Sequence, residues 1–97
     1  MEFPGKAEIK EQLFSAQYEV IDTNGTLDIC PIKIEKAPVV KTIPVEAEGE
    51  DLDGIPISVL LFTRDGLVYM LEVLRMDGEK VKQLPEASTF ELIVLAP

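Results

Sequence analysis

Apolar and polar positions change rhythm at Tyr18. Before it, Ile9, Leu13 and Ala16 recur at helical spacing, with Phe14 beside them. The residues between are good helix formers: Lys6, Ala7, Glu8, Lys10, Glu11, Gln12 and Gln17. Pro4-Gly5 opens the segment, so the pattern predicts one helix over 6–17. A helix this short is marginal alone in water and must dock on other structure. After it the chain alternates like strand. Tyr18–Asp22 and Thr26–Ile29 flank Asn24-Gly25, a pair that accepts positive φ and signals a hairpin. Ile32–Glu35 alternates again after Cys30-Pro31, where proline places the strand at an edge or bulge. Residues 36–44 hold Pro38 and Pro44 and read as extended connection. Residues 45–48 offer a further edge strand. Glu46, Glu48, Glu50, Asp51 and Asp53 follow as an acidic loop ending in the Asp53-Gly54 turn.

The most strongly β-forming stretch is 55–76. Ile57–Thr63 and Leu67–Arg75 flank Asp65-Gly66, a type I′ turn signal. A two-residue turn pairs Arg64 with Leu67 and Phe62 with Tyr69. One face then carries Ile57, Val59, Leu61, Val68, Met70, Glu72 and Leu74. The other carries Leu60, Phe62, Leu67, Tyr69, Leu71 and Val73, with Ser58, Arg64 and Arg75. Both faces are apolar, whereas a half-exposed hairpin alternates with polar residues. Both faces are therefore expected to be covered. Asp77-Gly78 turns the chain, Lys80-Val81 offers the start of a short strand, and Phe90–Leu95 reads as a closing core strand. The pattern predicts an α+β, mostly β fold. A short N-terminal helix packs on an antiparallel sheet of five or six strands, with the 55–75 hairpin at its centre. No stretch of the 97 residues reads as a domain boundary, so 1–97 is taken as a single domain.

Composition narrows the chemistry. Eighteen Asp and Glu against nine Lys and Arg give a net charge of −9, which opposes binding to nucleic acid and to anionic membranes. There is no histidine, so the commonest general base and transition-metal ligand is missing, and serine–histidine and cysteine–histidine nucleophile systems are excluded in their usual forms. One cysteine can build neither an internal disulfide nor a cysteine-rich zinc site. No phosphate-cradling glycine motif occurs, and with no tryptophan and few aromatics, base or sugar stacking has little support. The N-terminus lacks a secretory pattern and no apolar run approaches a membrane span, so a cytoplasmic location is expected. Neither a catalytic residue nor a cofactor or metal is expected. Calcium in the 46–53 loop is disfavoured, since its spacing does not match a calcium-binding loop.

Four residues stand out as contacts for a ligand or partner: Glu72, Tyr69, Phe62 and Arg75. Glu72 lies between Leu71 and Val73, and the assumed register puts its carboxylate on an apolar face, where burial is costly unless it is paired or protonated. The plainer alternatives are a rim position paired with Lys or Arg, or a register one residue away, which reverses its face. Cys30 has no cation in view to activate its thiol and reads as a small buried hydrophobe.

The run Asp53-Gly54-Ile55-Pro56-Ile57-Ser58-Val59-Leu60-Leu61-Phe62, with Asp65-Gly66-Leu67, Leu71-Glu72-Val73 and Asp77-Gly78-Glu79, resembles a family of small bacterial proteins of unknown function. In these, D-G-[IV]-P-x-x-[IVL]-L-L leads into D-G-x-[LV]-x-x-L-E-[IV] and then D-G. The resemblance spans roughly residues 18–85. Some relatives carry a Cys- and Gly-rich segment ending in Cys-Pro, of which this chain keeps Cys30-Pro31. The resemblance implies bacterial origin and supplies no activity and no catalytic residue. It places Glu72 in the L-E-V element.

These readings favour a non-enzymatic binding or protein-interaction domain, with self-association as a homodimer the simplest way to cover a second apolar face. The alternatives are a small-molecule binder in a sheet cavity with Glu72 or Arg75 at its mouth, and an immunity-type protein neutralising a basic toxin. A carboxylate-based or metal-assisted hydrolase ranks last.

Overall fold

A computed structural model of the chain describes residues 5–32, 36–38, 42–86 and 89–94. Its elements are α1 (Lys6–Ser15), β1 (Gln17–Val20), β2 (Leu27–Cys30), β3 (Val45–Glu50), β4 (Pro56–Arg64), β5 (Leu67–Arg75) and β6 (Glu91–Val94). All six strands form one antiparallel sheet in the order β1-β2-β5-β4-β3-β6. The architecture is the expected mostly-β α+β one, with β4 and β5 at the centre. No helix among the described residues is long and apolar enough to cross a membrane.

The β4–β5 turn is built as its sequence predicts. Asp65 and Gly66 both have positive φ, 53° and 78°, and Arg64 pairs with Leu67. Gly66 is also required by space. A Cβ there would lie 2.6 Å from the Ala37 carbonyl oxygen.

Beyond Thr63 the register departs from expectation. Thr63 pairs with Val68, but Phe62 pairs with Met70 rather than Tyr69, so a β-bulge adds one residue to β5. From there on, every β5 residue exchanges faces relative to simple alternation. Gln12 of α1 is fully buried beside this irregular turn. The Val68 N–H donates to its Oε1 at 2.8 Å, and its Nε2 donates to the Gly66 carbonyl at 2.9 Å. The helix thus satisfies the Val68 N–H and shares the Gly66 carbonyl with the Ala37 N–H.

Two clusters of buried residues lie on one face of the sheet. Ile9, Ile29, Ala37, Leu61 and Val68 pack under α1. Ile57, Val73 and Val81 pack at the opposite end, with Phe90 against them. Glycine at position 49 admits the Phe90 ring, which would stand only 2.8 Å from a Cβ at that position.

Several expectations need correction. The β1–β2 hairpin forms as expected, but its strands end at Val20 and begin at Leu27, and Asp22 Oδ1 organises the connection by accepting from the Asn24 and Thr26 N–H groups. The strand offered at 45–48 forms and runs on to Glu50, so 46–50 is not part of the acidic loop, because Val45, Ala47 and Gly49 alternate with the glutamates. That strand is internal, lying between β4 and β6. The closing strand is an edge, and Leu92 on it is exposed, so it is no core strand. Lys80-Val81 starts no strand. Val81 instead plugs the second cluster while its N–H donates to Asn24 Oδ1. Cys30 is exposed rather than buried, and Phe14 is almost fully exposed. The expected strand at 32–35 lies largely outside the described residues.

Candidate functional site

The registers sort the sheet into a covered face and an open one. The covered face carries Ile57, Leu61, Thr63, Val68, Val73 and Arg75, all buried. The other face carries Leu60, Phe62, Met70 and Leu74 side by side on the two longest strands. None of the β4 and β5 residues on this face is buried, and its apolar side chains are half-buried. Among the described residues, then, the second face of the hairpin is not covered, contrary to expectation. α1, Val81 and Phe90 all pack on the first face.

Three rows across the strands define the open face. Ile93, Glu46, Leu60 and Glu72 are successive cross-strand partners. Glu91, Glu48, Ser58 and Leu74 form the next row. On the other side of the first, Phe62, Met70, Asp28 and Glu19 are aligned. The centre is apolar and its surround acidic. Arg64 is the only cation among the described strand residues of this face, and its guanidinium stacks 4.6 Å from the Tyr69 ring centre. Tyr69 in turn packs against Phe62, with ring centres 5.9 Å apart.

Three of the four residues singled out from sequence therefore come together here. Phe62 and Tyr69 touch, and Glu72 stands on the same face, half-buried, opposite Leu60. The bulge moves Glu72 from the face carrying Ile57 and Leu61 to the one carrying Leu60 and Phe62. Sequence reasoning put Met70 and Leu74 with the buried set, and the same bulge transfers both.

Arg75 stands apart on the covered face. Its guanidinium is enclosed by three carboxylates. Nη1 donates to Asp51 at 3.0 Å, Nη2 to Asp53 at 2.7 Å, and Nε and Nη2 make a two-pronged contact with Asp77 at 2.9 Å each. The Asp51 side chain is completely buried. Its oxygens also accept from the backbone N–H groups of Leu52, Gln83 and Lys82. Burial alone would push the Asp51 carboxyl up. The three N–H donors and Arg75 outweigh it and hold the group well below the usual carboxylate range. Asp53 is lowered too, its desolvation being outweighed by Arg75, and Asp77 is lowered chiefly by its bond to Arg75. The Arg75 guanidinium is pushed further up, first by Asp77. This cluster ties the turn after β3, the end of β5 and the 81–83 segment together. The sequence gives no local signal for it, since Asp51 and Arg75 are 24 residues apart.

A groove of about 720 Å³ runs between the two buried clusters on the covered face. Leu27, Val59 and Leu71 form part of its floor, and Leu84, Phe90 and Leu92 part of its wall. Its described lining carries no charged side chain, and neither Glu72 nor Arg75 stands at its mouth. Glu46, Glu48 and Glu50 project to the open face, Asp51 and Asp53 are held by Arg75, and among the described residues no group of three potential ligands could hold a metal ion.

Comparison of the chain with protein-family models, curated proteins and solved structures finds no match, so its function is read from the geometry.

Proposed function

We propose that this chain is a non-enzymatic protein-interaction domain whose working surface is the open face of the sheet. The observation that carries the reading is the half-buried apolar strip of Leu60, Phe62, Met70 and Leu74 at the centre of the sheet. Contiguous exposed apolar area rimmed by polar residues marks interaction surfaces, and aromatic and Met side chains are favoured at their centres. The chemistry of the chain supports the same class. The sequence has no histidine, and the buried carboxylate of Asp51 is bonded to Arg75 and backbone N–H groups rather than free for acid–base work. We place it as a small acidic bacterial protein working in the cytoplasm, where its lone cysteine needs no partner.

The groove on the opposite face favours a second reading, a binder of an uncharged apolar small molecule. Selection of phage-displayed peptides against the immobilised full chain separates the two. The first reading expects recovered peptides whose binding is lost in Phe62→Ser and Leu74→Ser variants and kept in Leu84→Ser. Recovery of no peptide, or loss of binding only in Leu84→Ser, contradicts it.

A further inference from the structure

Charge decides what fits the open face. Around its apolar centre, Glu46 and Glu72 flank Leu60 on both sides, and no described residue makes an ion pair with either. Two like-charged pairs face each other directly across strands, Glu48 with Glu91 and Asp28 with Glu19. Such pairs destabilise a sheet. The domain tolerates that repulsion on the face it leaves open, while on the covered face Asp51, Asp53 and Asp77 are each bonded to Arg75. At the β3–β6 rim, Glu48, Glu50 and Glu91 line a hollow of about 590 Å³ with Pro56 and Pro85, room for a long cationic side chain.

A second copy of the chain is a poor occupant. Stacking this face on itself sets carboxylates against carboxylates, with Arg64 the only cation among the described strand residues of this face to oppose them, and like-charge juxtaposition across an interface costs several kcal/mol. Nucleic acid and anionic membranes carry the wrong sign.

We infer that the occupant of the open face is a basic polypeptide, a Lys- and Arg-rich surface carrying exposed apolar side chains that seat on Leu60, Phe62, Met70 and Leu74. This rests on the open face being the working surface, as proposed above.

The test titrates the full chain with three short peptides in which leucine alternates with lysine, glutamate or serine, and follows amide NMR shifts. The lysine peptide should perturb Leu60, Phe62, Met70 and Leu74. Its affinity should fall about tenfold or more in a Glu46→Lys/Glu72→Lys variant that still melts cooperatively. The glutamate peptide should leave these signals unmoved. Equal perturbation by the serine and lysine peptides overturns the basic partner and spares the interaction face. Shifts confined to groove residues such as Leu84 and Phe90, or no shifts at all, overturn both. A chain that sediments alone as a dimer, and as a monomer once Phe62→Lys is introduced, makes the second copy the occupant and overturns the inference.

Discussion

The Asp51 side chain is completely buried where the turn after β3, the end of β5 and the 82–83 segment meet. One carboxylate receives three backbone N–H groups and a guanidinium, so it joins three stretches of chain that share no regular pairing. Its sequence context, Glu-Gly-Glu-Asp-Leu-Asp, reads only as an acidic turn. The partners that define its role are distant, and no periodicity encodes them. The same holds for Gln12 and Thr26, both buried. Gln12 serves the bulge, and Thr26 Oγ1 accepts from the Val73 N–H at 3.0 Å where β2 begins. Apolar pattern reading assigns such residues to the surface. Asp51 also predicts an acid response. Its carboxyl and those of Asp53 and Asp77 are held below the ordinary range near 4. The folded state therefore binds protons less readily than the unfolded one. Their stabilisation is complete above that range and is lost as pH falls through and below it. The melting temperature should fall as pH drops below about 4. Asp51→Asn should lower it by roughly 10 °C at pH 7 and flatten the acid slope. Thermal melts of both chains across pH check this, and an Asp51→Asn chain with an unchanged melting temperature and acid slope contradicts it.

At the level of elements, the sequence announces what is local. The helix, the type I′ turn and the two long strands follow from composition, Asp65-Gly66 and β-branched runs. What it conceals is non-local. The bulge at Tyr69 has no signature in alternation, because both faces of β5 are apolar and either register looks acceptable. The strand offered at 45–48 reaches Glu50 and lies inside the sheet, since its charge suggests a loop or an edge while the Val45, Ala47, Gly49 alternation is the better guide. The two approaches around glycine differ in a way that can be measured. A methyl at position 66 would meet the Ala37 backbone oxygen and also require positive φ. One at position 49 would meet the Phe90 ring, which can shift. Gly66→Ala should cost about 3 kcal/mol and Gly49→Ala about 1 kcal/mol, read from denaturant unfolding. Equal losses would mean that the turn is not clamped against Ala37.

For the whole molecule, the sheet is covered on one side by α1, Val81 and Phe90, and presents on the other an apolar centre ringed by carboxylates. The net charge of −9 could be read as solubility alone from the sequence. Its placement gives it meaning, since Glu19, Asp28, Glu46, Glu48, Glu72 and Glu91 all lie on the face that the core leaves open. From the sequence, Phe62 and Tyr69 share one face of the central hairpin with Arg75, and Glu72 lies on the other. The bulge exchanges the faces of Glu72 and Arg75, and nothing in the alternation announces it. In the free chain Phe62 and Met70 are half-buried on the open face, whereas Ile57 and Val68 are buried on the covered one. Hydroxyl-radical footprinting of the free chain measures this without any partner. Phe62, Tyr69 and Met70 should oxidise rapidly while Ile57 and Val68 are protected; protection of Phe62 and Met70 to the level of Val68 would mean that this face is covered.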